Sequence, residues 1–170
     1  MSELIRLRGT FHRAVDPRFR EHALAGSRAA GRYSRAGQPT LYLSSSEEGV
    51  SAAMIAHQDP DAPPRQTVQV QVDAEGIVDL RDERALAALG VDLADAVAPW
   101  QQTVAAGGTP PSWAVRDRLE AAGANGLIDP SRKSPGLWHL VLFRWNEPGA
   151  PTARMVDCRP LRTPAEPGPA

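Results

Sequence analysis

The clearest rhythm in the chain is Thr67-Val68-Gln69-Val70-Gln71-Val72, where valine alternates with polar residues and predicts a strand with one apolar face. Residues 4 to 15 alternate less regularly, mixing Leu, Ile, Phe and Val with Arg and His, and predict a short strand running into Asp16-Pro17. Thr40-Leu41-Tyr42-Leu43 predicts a buried strand. Ser44-Ser45-Ser46 with Glu47-Glu48 behind it predicts a helix start, the hydroxyls capping and the acids in the first turn, with the helix running to about His57. Ile77 to Leu80 is a further short strand after a turn at Glu75-Gly76. Asp82 opens a helix over Glu83 to Leu89, closed by Gly90.

A helix is expected from Leu93 to Val104, and another from Trp113 to Ala122 with Ser112 as its cap and Gly123 as its stop. Gly126-Leu127-Ile128-Asp129 and the long apolar run Leu137 to Trp145 are strands, the second central. Ala153 to Val156 suggests an edge strand. Strands near both ends, helices between them and no internal repeat describe one mixed α+β domain over 1–160, followed by a disordered Pro-rich tail at 161–170.

Composition narrows the class. At 170 residues, with 42% hydrophobic and 23% charged residues, the chain can bury a core without staples. Nineteen basic against 20 acidic residues give a net charge of −1, which argues against nucleic acid as a partner. The lone Cys158 excludes an internal disulfide and suits a reducing cytoplasm. Charges at Glu3, Arg6 and Arg8 interrupt any signal peptide, and no stretch reaches the ~20 apolar residues of a membrane span. A soluble, cytoplasmic protein with no membrane contact is expected.

The candidate chemistry lies in loops. Gly26 to Pro39 holds three glycines and three arginines without an apolar period. It is expected to cross the surface, where Arg32 and its neighbours could grip phosphate oxygens and Tyr33 could touch a ligand. Asp129 to Gly136 sets hydroxyls and bases between two strands, where a serine side chain, Ser131 or Ser134, could bond a ribose or phosphate. No Walker A loop, GxGxxG fingerprint or GxSxG elbow is present. His12, His22, His57 and His139 lack metal-ligand spacing, so no metal is expected.

In order, Arg13-Ala14, Ala30-Gly31-Arg32-Tyr33, Leu41-Tyr42-Leu43-Ser44, Trp113, Gly126-Leu127, Pro130-Ser131-Arg132 and His139-Leu140-Val141-Leu142-Phe143 resemble the RES domain family, over roughly residues 7 to 145. These are the toxins of RES-Xre toxin-antitoxin pairs. The resemblance implies a compact α+β fold similar to ADP-ribosyltransferases, with a mixed, mostly antiparallel sheet and flanking helices. It implies cleavage of NAD+ at the nicotinamide-ribose bond, by phosphorolysis, hydrolysis or ADP-ribosyl transfer. NAD+ is then a substrate and no cofactor is required. An Xre-type antitoxin is the implied partner, and a homo-oligomer is compatible with the family.

On that resemblance Arg32, Tyr42 and Ser131 are the catalytic candidates. Arg13, Arg32, Tyr33, Tyr42, Ser44 and Ser131 are the candidates for holding NAD+. One position departs from the pattern: the family's glutamate, eleven residues beyond Tyr42, falls on Ala53. Glu48 and Glu47 lie about 140° and 120° away around a helix and do not replace it. The alternative reading is therefore a module that binds NAD+ or ADP-ribose with attenuated catalysis. A third is an interaction protein whose arginines meet an acidic partner.

Overall fold

The computed structural model of the chain describes residues 2–54, 61, 64–132 and 134–160. Two long strands form its spine. β1 (Leu4–Val15) runs antiparallel to β3 (Gln66–Asp79) from Leu4 opposite Val78 to Val15 opposite Gln66. The expected turn at Glu75-Gly76 is instead a bulge inside one continuous β3. Between the pairs Ile5–Ile77 and Leu7–Ala74 there is one residue on β1 and two on β3, and Gly76 takes the extra length at φ +75°. A glycine in an alternating apolar segment is ambiguous between a bulge and a break, and here the β1 partner decides it.

The other strands are β2 (Leu41–Ser44), β4 (Gly126–Pro130), β5 (Trp138–Leu142) and β6 (Thr152–Pro160). The sheet order is β1-β2-β5-β4-β3-β6, and the β1–β3 pairing closes the first five into a ring, leaving β6 at an edge on β3. Every pairing is antiparallel except β3–β4, whose parallel register requires a crossover. That crossover carries α2 (Glu83–Leu89), α3 (Leu93–Val97), α4 (Trp100–Ala105) and α5 (Pro111–Ala121). α1 (Glu47–Met54) follows β2, and Ser46 caps it by accepting from the Gly49 N–H at 3.1 Å. The expected end of that helix near His57, like the tail at 161–170, lies outside the described residues.

Alternation sorts the side chains into two cores. Phe11, Leu41, Leu43, Val68, Val70, Ile77, Ile128, Leu140 and Leu142 fill one face of the sheet. Leu127, Val141 and Phe143, one residue out of phase, pack on the other against Leu86, Ala96, Val115 and Leu119 of the helices. α2 begins and ends where the sequence indicates, with Asp82 accepting from the Arg84 N–H and Gly90 in the left-handed region.

Two helix readings are corrected. The helix expected over Leu93 to Val104 is split into α3 and α4, because Ala98 precedes Pro99 and is pushed to ψ 149°. α5 starts at Pro111, whose ring suits the first helical position. Ser112 is not its cap but lies inside it and donates to the Arg32 carbonyl.

Candidate functional site

The Gly26 to Pro39 segment is no surface loop through its middle. Tyr33 is 0% exposed and Ser34 is buried with it. α5 is the reason. Its buried face, Ser112, Val115, Arg116 and Leu119, lies against this loop and the second core. Three side chains at its start take three successive loop carbonyls: Trp113 Nε1 donates to Gly31 at 2.9 Å, Ser112 to Arg32, and Arg116 Nη1 to Tyr33 at 3.0 Å. Arg116 also donates to Thr40 Oγ1 at 2.6 Å, pairs with Glu120 and stacks its guanidinium on Phe143. The sequence signal was present but unread: an arginine falls on the apolar stripe of a helix, where burial demands partners.

The loop in turn orders Tyr42. Its phenol oxygen accepts from the Tyr33 N–H at 3.1 Å and shares a hydrogen bond with Ser34 Oγ at 2.8 Å. Gly31 makes room, since a Cβ there would stand 2.6 Å from that oxygen. Burial raises the pKa of Tyr42, and that of Tyr33 far more, with Asp129 adding to the rise. Both phenols therefore stay protonated. Tyr33 donates to Asp129 Oδ1 at 2.7 Å.

Asp129 is the one buried carboxylate among the described residues, 5% exposed. Arg132 Nη2 reaches the same Oδ1 at 3.2 Å and also donates to the Ala96 carbonyl at 3.2 Å. Arg32 Nη1 meets it there, donating to Ala96 O at 3.2 Å and Ala98 O at 2.8 Å. Two guanidinium groups thus converge on the carbonyl end of α3, where Ala96 is buried. Arg32 has no carboxylate partner among the described residues. Its pKa is lowered first by burial and then by Arg132.

Beside this pair, strand register aligns one row of polar side chains. His12 pairs with Ser44, Ser44 with His139, and His139 with Asp129, across β1, β2, β5 and β4. Paired residues share a face, so all four stand on the helix side. Ser44 Oγ and His139 Nδ1 are 3.0 Å apart. Burial lowers the pKa of His139, with Asp129 opposing and Arg132 adding to the fall.

The expected site residues are therefore distributed as follows. Arg32, Tyr33 and Tyr42 sit together, Tyr33 as a buried strut whose ring faces no solvent. Ser44 joins the histidine row. Ser131 closes a turn, its hydroxyl accepting from the Ser134 N–H at 3.3 Å, and stands next to Arg132. Arg13 is apart, on the Phe11 and Val15 side of β1, where Nη1 donates to the Tyr42 carbonyl at 3.0 Å while the buried Nε has no partner among the described residues. Ala53 is exposed on α1. Two surface depressions along β1, β3 and β6, around Arg8, Asp73, Thr152 and Arg154, contain none of these residues. No helix among the described residues is long and apolar enough to cross a membrane.

Comparison with known proteins gives a family and a fold. The family model described as the RES domain matches residues 4–164. A chain in the crystal structure of the M.tuberculosis MbcT-MbcA toxin-antitoxin complex has a similar fold, with a TM-score of 0.65 at 20% identity, covering 93% of this chain and 86% of that one. No curated protein matches the chain.

Proposed function

The chain belongs to the RES domain family, and from that premise we propose that it is the toxin of a toxin-antitoxin pair and acts by cleaving NAD+ between nicotinamide and ribose. One observation carries the reading. Arg32 is more than half withdrawn from water and satisfied only by neutral carbonyls, although Arg132 stands beside it. Two arginines converging with a single shared carboxylate leave one positive charge uncompensated, and a diphosphate supplies what is missing. In this reading the diphosphate replaces the Ala96 and Ala98 carbonyls on Arg32. Tyr42 lines the nicotinamide side and Ser131 bonds the substrate near Arg132.

Cleavage develops positive charge on the ribose, which a nearby carboxylate stabilises. With Ala53 at the family's glutamate position, Asp129 is the carboxylate the site offers, paired with Arg132 and accepting a hydrogen bond from Tyr33. The antitoxin, an Xre-type partner by family, acts by covering this face. The fold likeness to a chain of a toxin-antitoxin complex supports a protein partner of that kind.

The purified protein should release nicotinamide from NAD+, and calorimetry should show NAD+ binding that Arg32→Ala weakens. Folded protein that neither binds nor cleaves NAD+ at high concentration overturns the proposal. The exposed Ala53 favours one rival, a module that binds without turnover. Under that reading Ala53→Glu raises the rate by roughly 10²-fold or more, the worth of one electrostatic stabiliser. Under ours it changes little.

A further inference from the structure

We infer that His139 is a catalytic general base that takes the proton from a water molecule attacking the ribose, so that the reaction is hydrolysis. The inference rests on the NAD+-cleaving reading and names its acceptor. Its basis is the row His12, Ser44, His139 and Asp129, which four neighbouring strands hold in register on the face where Arg32 and Arg132 converge. Ser44 occupies Nδ1 of His139 at 3.0 Å, while Nε2 has no hydrogen-bond partner among the described residues. If Nδ1–H donates to Ser44, Nε2 keeps its lone pair, which is the tautomer a base requires.

The surroundings suit that role. Facing the ring are Ser44 from β2, His12 beyond it on β1, Asp129 from β4 and Arg132 from the loop after β4. α1, packed on β1 and β2, brings Glu47 and Glu48 in its first turn. Half-burial keeps the imidazole neutral near pH 7, and Asp129 stands ready to stabilise the imidazolium once it forms. Arg13, by contrast, lies on the other face and cannot serve here.

The step balances. The bond from nicotinamide nitrogen to ribose carbon breaks and its electron pair leaves with neutral nicotinamide. The water oxygen bonds to that carbon, one water proton passes to His139 Nε2, and His139 returns it to solvent. NAD+ and water become ADP-ribose, nicotinamide and a proton. Inorganic phosphate, already an oxyanion, would need no such base.

The test is kcat against pH for the parent chain and for His139→Asn, with products identified and NAD+ affinity measured by calorimetry. The parent should give ADP-ribose, gain nothing from added phosphate, and lose rate on an acid limb lying below the ordinary histidine range. His139→Asn should lower kcat roughly 10²-fold or more and abolish that limb, with NAD+ affinity kept. Ser44→Ala, which removes a positioning residue, should move the limb to lower pH. His139→Gln stands in if the asparagine variant does not fold. A cleaving parent with a flat profile, a phosphorylated ribose product, or a His139→Asn enzyme of undiminished rate overturns this inference alone. A parent that binds NAD+ and never cleaves it overturns both.

Discussion

Arg116, on α5, and Arg32, in the loop that α5 clamps, meet opposite fates. Arg116, 3% exposed, has a carboxylate, a hydroxyl, a backbone carbonyl and an aromatic face. Arg32 has two carbonyls, a like-charged neighbour and no acid of its own. The difference separates structure from function. A charge compensated on every side belongs to the fold, whereas one only hydrogen-bonded keeps an unmet electrostatic demand that an anion can answer. The loop transmits order: α5 clamps the carbonyls of Gly31, Arg32 and Tyr33, and the same residues present the Arg32 guanidinium to the site.

The largest effect expected from breaking that contrast is on stability. Arg116→Ala strands the Tyr33 carbonyl in a dry interior, takes away the donor to Thr40 Oγ1 and the stacking on Phe143, and should cost roughly 3 kcal/mol, with Tm lower by about 6 to 12 °C. Urea unfolding measures it. Arg32→Ala, which removes an uncompensated charge, should stay within about 1 kcal/mol of the parent. Equal losses in the two variants would erase the distinction. Gly31→Ala comes next, because its Cβ would press on the Tyr42 oxygen at 2.6 Å and on Ser34 Oγ at 2.9 Å. A loss of about 1 to 3 kcal/mol is expected from that overpacking. The companion Gly37→Ala meets no atom within 4 Å and suffers only its φ of +81°.

Ligand affinity sharpens the comparison from the other side. Arg32→Ala should weaken NAD+ binding by roughly 10- to 100-fold, the worth of charge-assisted hydrogen bonds. Arg32→Lys should recover only part, since a point charge cannot span two oxygens as a guanidinium does. Calorimetry on both variants decides it. Arg116→Ala, assayed below its own unfolding temperature, should bind less tightly only to the extent that the loop loosens.

What could be read beforehand follows from which forces are local. The Val68-Val70-Val72 strand, the Asp82 and Gly90 ends of α2, and the α+β mixture are written in period and capping chemistry, both local signals. The RES pattern pointed to Arg32, Tyr42 and Ser44, of which Tyr42 and Ser44 share one face of β2. It also drew in Arg13, which lies in the order of the motif but on the opposite face of β1 from His12. The loop's burial was invisible because Gly26 to Pro39 has a surface composition, and only α5, some 80 residues later, supplies the partners that let it be dry. The histidine row was equally hidden. His12 and His139 are isolated in sequence and become neighbours of Ser44 only through strand register, a non-local property.

The smallest effect separates the row from the surface. His139 has a lowered pKa in the fold, so as pH falls through the ordinary histidine range, about 6.5, the unfolded chain binds a proton that the folded chain refuses. Stability that is full above that range is therefore lost on acidification, and the loss saturates once pH drops below the folded pKa and His139 protonates in place. Asp16 and Asp73 behave differently. Their pKa values are lowered chiefly by hydrogen bonds from Arg18 and Arg6, so what they contribute disappears only below about pH 4. Both lie partly open at the surface, and solvent screening keeps that second step shallow. Unfolding free energy measured from about pH 8 down to pH 3 should show the two steps separately. His139→Asn should remove the upper step and leave the lower one untouched; an upper step that survives the substitution would assign it to another group and place His139 outside the desolvated row.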